Sequence, residues 1–207
     1  FSSAIHSTVP SARSPAICNM TGPSAATSTG SGLCAPNTVG LCTEKVPFST
    51  STALGPVMLQ IAGERADGTV LWMADEKAIG EHIAPKINKA AAEAGRPAPR
   101  IVAGIPVCLC ANSEIEAAKE RANRILAEAE TSPNYQRLLD RGDARDVGDL
   151  CAAGDSEQIL RRFQRFADAG VTDLSVRLLP IGENRDELIA SKYRTREVIA
   201  ELAKAVR

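Results

Sequence analysis

The sequence predicts an α/β fold built on a parallel sheet, and three observations lead there. After about residue 53 helical and strand-like segments alternate in strict succession. The longest strand-like run, Arg100 to Cys110 (Arg-Ile-Val-Ala-Gly-Ile-Pro-Val-Cys-Leu-Cys), is almost continuously apolar, as a strand covered on both faces requires. The intervening helices are ten or more residues long, which suits crossover connections between parallel strands. Three clear strands are too few to close a barrel. They form the tail of one or a small open sheet.

Each element has its own local reason. Pro56 to Ala66 reads as a helix, with Pro56 in the first turn, where a missing N–H is harmless. Asp67-Gly68 turns the chain into a short buried strand, Thr69 to Met73. A helix from about Asp75 to Ala94 follows, with Ile79, Ile83 and Ile87 forming one apolar stripe. Gly95 and Pro97 stop it. Pro106 inside the long strand implies a bulge or an early strand end. Asn112 or Ser113 caps the next helix, with Glu116 in capping-box spacing from Ser113, and the helix runs to about Glu130. A short helix is expected over Tyr135 to Arg141, and a plain connection over Gly148 to Gly154. Asp155, with Gln158 three residues on, caps a helix that Gly170 ends. Val171 to Leu179 is the third strand and Asp186 to Val206 the last helix.

The first part of the chain differs. From Phe1 to Thr52 roughly a third of the residues are Ser or Thr, and only Arg13, Glu44 and Lys45 are charged. Thr21 to Gly32 has the composition of a linker. A segment this poor in large apolar groups does not offset the entropy of ordering. The chain therefore divides into 1–52, low-complexity and expected to be disordered or non-native, and 53–207, a folded unit. It begins at Phe1 rather than Met, which is read as a fragment or a processed chain.

The net charge is −1 and aromatics make up 3% of the 207 residues. Neither nucleic acid nor a membrane surface is expected as a partner. No apolar run approaches the roughly 20 residues of a membrane span. Of six cysteines (Cys18, Cys34, Cys42, Cys108, Cys110 and Cys151) none forms a C-x-x-C pair with a matching partner, so no metal site is expected. Cys108 and Cys110 point to one face of their strand and are read as small buried hydrophobes. A cytoplasmic protein with reduced thiols is expected. His6 and His82 are the only histidines, and no nucleophile–histidine constellation follows from spacing.

Ala53-Leu54-Gly55-Pro56-Val57-Met58-Leu59, continued by Ala62-Gly63-Glu64-Arg65-Ala66-Asp67-Gly68-Thr69-Val70-Leu71-Trp72, resembles a signature of the luciferase-like oxidoreductases. It lies nearest the deazaflavin-dependent branch, whose pattern is close to A-L-G-P-x-M-L-x-L-A-G-E-x-A-D-G. Gly154-Asp155-Ser156-Glu157 and Ala167 to Asp173 resemble the family's approach to its eighth strand. The resemblance covers about three quarters of the chain. It implies the C-terminal part of a (β/α)8 barrel, a partial TIM-type barrel. It further implies an oxidoreductase acting on a small-molecule substrate with reduced coenzyme F420, or with FMN as the alternative. The coenzyme would lie at the C-terminal ends of the strands.

On that reading Leu54, Gly55 and Pro56, with the N–H groups that follow, cradle a coenzyme phosphate; the competing reading is a strand-to-helix turn that needs glycine. Arg177, near the end of the last strand, binds a coenzyme phosphate or carboxylate, or is a surface arginine paired with an acid such as Glu183. Trp72 flanks a ring system or is a core aromatic. No catalytic acid or base is named, because relatives carry theirs upstream. The alternative to an active enzyme is a non-catalytic barrel fragment. A partial sheet exposes its edges, so homo-oligomerisation or aggregation through them is expected.

Overall fold

The structure is a computed structural model that describes residues 16–19, 50–51, 55–126 and 133–205. The expected linker over 21–32, Leu54 and the far end of the helix expected to reach Glu130 lie outside the described residues.

Six strands form one parallel sheet: β1 (Ala16–Asn19), β2 (Thr50–Ser51), β3 (Gly68–Trp72), β4 (Arg100–Leu109), β5 (Ala152–Gly154) and β6 (Asp173–Leu178). The order is β1-β6-β4-β3-β2, with β5 joined to the C-terminal end of β4. Register is fixed by rows such as Val70↔Val102↔Asp173 and Trp72↔Gly104↔Ser175. The helices are α1 (Pro56–Arg65), α2 (Glu76–Ala78), α3 (Ala84–Glu93), α4 (Ile115–Leu126), α5 (Pro133–Leu139), α6 (Ser156–Asp168) and α7 (Arg185–Ala205). No described helix is long and apolar enough to cross a membrane.

Strand alternation sorts the sheet into two faces. Leu71, Ile101, Ala103, Ile105, Val107, Leu174, Val176 and Leu178 join Leu59, Ile79, Ile83, Ile87, Ile159, Phe163 and Phe166 of the helical layer in one buried core. Burying each of these large side chains contributes about 1.5–3 kcal/mol. The opposite face carries Val70, Trp72, Val102, Gly104, Pro106, Asp173, Ser175 and Arg177.

The α6 helix shows how local sequence builds this layer. Asp155 accepts the Gln158 N–H at 2.8 Å and Gln158 accepts the Asp155 N–H at 2.9 Å, the expected capping box. Ile159, Phe163 and Phe166 then repeat at helical spacing, and all three are buried. On α1, Gly63 lets α3 approach: an added Cβ would lie 2.5 Å from the Ile87 carbonyl oxygen.

Several elements differ from expectation for clear reasons. The helix expected over Asp75 to Ala94 is broken by a π turn, Ile79–Ile83. Pro85, at the start of α3, has no N–H to continue an α-helical ladder. Strand β4 runs through Pro106 to Leu109 without the expected bulge or early end. Thr172 N–H bonds the Ile101 carbonyl and Leu179 N–H bonds that of Val107, so odd-numbered residues of β4 face β6. Pro106 therefore turns its nitrogen to the other edge, past the last β3 partner at Gly104 and before the first β5 partner at Val107. No ladder bond is lost there. The connection expected over Gly148 to Gly154 contains a 3-10 turn (Gly148–Leu150) and β5. The start of α4 is not capped by Asn112 or Ser113; a 3-10 turn intervenes, and the Glu114 carboxylate accepts the Ala111 N–H at 2.8 Å. β1 and β2 pair through their backbones with β6 and β3, partners distant in sequence, so the composition of 1–52 gave no sign of them.

Candidate functional site at the C-terminal rim

In parallel α/β architectures the side chains that meet ligands gather where strands end and helices begin. Here that rim comprises Gly55 and the start of α1, Trp72 to Glu76 after β3, Cys110 to Glu114 after β4, Gly154 and Asp155 after β5, and Arg177 near the end of β6.

Gly55 is the N-cap of α1, with φ −99° and no side-chain cap. This is ordinary extended backbone, and an added Cβ there would meet nothing within 4 Å. Neither the turn nor the packing requires glycine at this position. The first N–H groups of α1 thus have no side-chain partner from the cap residue. Pro56 occupies the first turn, as expected.

Arg177 is exposed on the face of β6 opposite the helix-covered core, in register with Pro106. It makes no ion pair with a described residue; the Glu183 N–H is instead bound by the Glu187 carboxylate at 2.8 Å. Gly55 and Arg177 share the rim but are not in contact. Gly55 follows β2 and Arg177 lies in β6, with β3 and β4 between those strands.

Trp72 is half-buried, and its ring lies over Gly104, leaving no room for a Cβ on that residue. The next residue, Met73, is buried with φ +61°, in the left-handed region, the one non-glycine among the described residues to do so. Such a backbone persists only where surrounding contacts hold it. The chain then reaches Asp75, which is 5% exposed. Its carboxylate accepts the N–H of Ala78 at 2.7 Å, of Asp143 at 2.6 Å and of Ala144 at 3.2 Å. One side chain therefore caps α2 and pins the loop after α5 to the end of β3.

A cleft of about 690 Å³ opens beside this latch, with Asp75, Glu76, Lys119, Asp149, Cys151 and Arg162 in its wall. Its charges are largely matched. Glu76 Oε1 lies 2.9 Å from Arg162 Nε, a charge contact without hydrogen-bond alignment, and 2.8 Å from Arg165 Nε. Asp149 meets Arg145 at 2.9 Å and Lys119 at 3.3 Å. The Arg145 guanidinium above all holds the Asp149 carboxyl down to about 2.

Cys108, Cys110 and Cys151 are free and buried, in one cluster with Met73. No group of three or more His, Cys, Asp or Glu able to hold a metal occurs among the described residues. His82 falls in the π turn, away from the rim.

Of the residues named from sequence, Gly55, Pro56 and Arg177 stand at the rim; Met73, the Trp72–Gly104 contact and the reach of Asp75 were not read there. Asp75 was legible as a helix start. Its bonds to residues 68 and 69 positions away were not.

The profile of the luciferase-like monooxygenase family matches residues 24–173. The 5,10-methylenetetrahydromethanopterin reductase of Methanopyrus kandleri is 28% identical over 170 residues, covering 70% of this chain and 48% of that protein. The chain thus spans about half the length of this curated relative. Two solved structures share the fold. An F420-dependent secondary alcohol dehydrogenase in complex with an F420-acetone adduct has TM-score 0.51 and 17% identity, over 76% of this chain and 48% of that one. A long-chain alkane monooxygenase has TM-score 0.51 and 15% identity, over 80% and 44%. Parallel sheet, helical cover and profile agree: the chain belongs to the luciferase-like monooxygenase family and carries part of that family's α/β barrel.

Proposed function

We propose that this chain belongs to an oxidoreductase that binds a reduced deazaflavin, coenzyme F420, at the C-terminal rim and acts on a small-molecule substrate. The observation that carries the reading is the open, uncapped start of α1 at Gly55, within a family of redox enzymes. Helix N-termini attract anions through unpaired N–H groups and the helix dipole. The Gly55-Pro56 turn, preceded by Leu54, would hold a coenzyme phosphate. Arg177 faces the same rim without an ion-pair partner among the described residues, and its guanidinium would take a second anionic group of the coenzyme. Trp72, fixed over Gly104, gives the site a rigid apolar wall.

The Ala53 to Trp72 pattern and the similarity to a methylenetetrahydromethanopterin reductase support F420 over FMN. When bound, reduced F420 supplies a hydride; reduced FMN would supply oxygen chemistry instead. The residues named here bind and orient; the proton-transfer groups are not assigned.

Amide hydrogen exchange with and without F420 tests the placement. Added protection at the first turn of α1 and around Arg177, with none at the N-terminal strand ends near Arg100, is expected. Protection confined to the N-terminal ends, or an Arg177→Ala variant with unchanged affinity, would overturn it. An arginine–phosphate contact contributes about 1.5–3 kcal/mol, so that variant should lose about 10- to 100-fold in affinity.

A further inference from the structure

In the cleft beside the Asp75 latch the matching of charge is incomplete. Ile159, Phe163 and Phe166 turn one stripe of α6 to the core, and Arg162 and Arg165 leave the helix together on one flank of that stripe. Arg162 lies along the edge of the core. Its guanidinium carbon is 5.8 Å from the centre of the Phe166 ring, and its side chain is 18% exposed. Of its N–H donors the structure pairs a single one: Nη1 donates to the Asp149 carbonyl at 3.3 Å. Nη2 has no partner among the described residues. Nε is buried and also lacks an acceptor, although Glu76 Oε1 stands 2.9 Å away. Glu76 is no better served. Its Oε1 accepts from Arg165 Nε at 2.8 Å, and its Oε2 is buried without a donor. Buried polar groups are nearly always paired, so an unspent guanidinium of this kind calls for an acceptor.

The charge count points the same way. Glu76 faces Arg162 and Arg165, and Asp149 faces Arg145 and Lys119. Two carboxylates thus meet four cations. Asp75, in the same wall, turns its carboxylate to three N–H groups, and Lys77 and Asp143 cancel one another. Positive charge is left in surplus within a cleft of about 690 Å³, a volume inside the range of about 300–1,000 Å³ that small-molecule sites occupy. Water can fill the free N–H positions but leaves the charge uncompensated; an oxyanion answers both needs.

We propose that this cleft is a binding site for a phosphate group, held by the free nitrogens of Arg162 and Arg165 and drawn in by Lys119. A phosphate offers several acceptor oxygens and up to two charges, which suits two adjacent guanidinium forks; a carboxylate brings one charge and fewer acceptors. The phosphate is the free ion or the end of a small phosphate monoester. Neither Gly55, Pro56 nor Arg177 lines the cleft, so the site does not rest on the coenzyme reading.

Calorimetric titration of the whole chain, at constant ionic strength in chloride, tests this with inorganic phosphate, glycerol 3-phosphate and acetate in separate runs. We expect saturable binding of phosphate near one equivalent and weaker binding of acetate. Tighter binding of glycerol 3-phosphate than of the free ion identifies a monoester as the source, and the reverse order identifies inorganic phosphate. Arg162→Lys keeps the charge but loses the fork, and should weaken binding about 10-fold or more. Arg165→Ala should weaken it about 3-fold, whereas Glu76→Gln, which removes a competing carboxylate, should tighten it. Arg165 is 56% exposed, so its replacement leaves the fold intact and keeps the test decisive where the Arg162 variant folds poorly. No saturable binding of phosphate or monoester, acetate binding as tightly as either, or full wild-type affinity in both arginine variants would overturn the proposal. Displacement of the bound phosphate by F420 would overturn it as well, because the anion would then occupy the coenzyme's own site.

Discussion

Replacing Asp75 by alanine removes three acceptor contacts at once. The Ala78 N–H loses its helix cap, which is worth about 1 kcal/mol. The N–H groups of Asp143 and Ala144 lose bonds to a charged acceptor, each worth about 1.5 kcal/mol. The sum is about 4 kcal/mol, a large share of the roughly 5–15 kcal/mol that stabilises a typical domain. Asp75→Asn keeps one acceptor oxygen and should lose about half as much. Gly142 offers an independent approach to the same latch, since an added Cβ would collide with the Asp75 carboxylate. Urea denaturation of the wild type, Asp75→Ala, Asp75→Asn and Gly142→Ala measures the losses, and hydrogen exchange reports the Asp143 and Ala144 amides. A loss below about 1 kcal/mol in Asp75→Ala, with both amides still protected, would refute the latch.

Three further outcomes follow from single contacts. Gly104→Ala pushes a methyl into the Trp72 ring and should destabilise by about 1–3 kcal/mol; Trp72→Ala should relieve most of that in the double variant, a coupling that a thermodynamic cycle measures. Phe163→Ala empties a core position that is 1% exposed and should cost about 3–5 kcal/mol in denaturant melts, against less than about 0.5 for the exposed Ile189→Ala. The Asp149 carboxyl is held at about 2 against an ordinary 3.8, so its contribution is present above pH 3.8 and is lost as pH falls toward about 2. The full difference corresponds to about 2.4 kcal/mol; Arg145 is 82% exposed, and solvent screening reduces the effect to about 1 kcal/mol. Melts of wild type and Asp149→Asn should therefore converge near pH 2 and separate above pH 4.

Local signals carried most of the helical layer. The Asp155–Gln158 box, the isoleucine stripe Ile79, Ile83 and Ile87, and the stops at Gly95 and Gly170 all depend on neighbours within a turn or two, where sequence spacing is geometry. The buried character of Cys108 and Cys110 followed in the same way from the apolar run around them. What escaped was set by distant partners. β5 is three residues of Ala-Ala-Gly with no apolar alternation, and it is a strand because the edge of β4 beyond Gly104 is free to pair. Pro106 is harmless only because its nitrogen faces that gap. The π turn arises from Pro85, whose effect on a helix depends on which carbonyl it leaves without a donor. At the rim, Gly55 was legible through the family pattern and Arg177 through its place near the end of the last strand. The Met73 backbone and the span of Asp75 to Asp143 and Ala144 are products of the assembled fold.

The central claim, that this part of the barrel presents a coenzyme-binding rim, is tested most directly by calorimetric titration of the whole chain, first shown to melt cooperatively, with F420 and with FMN. We expect saturable binding near one equivalent of F420, weaker binding of FMN and a loss of affinity in Arg177→Ala. Tighter binding of FMN than of F420 would reverse the coenzyme assignment, and no heat of binding with either from folded protein would contradict the claim itself.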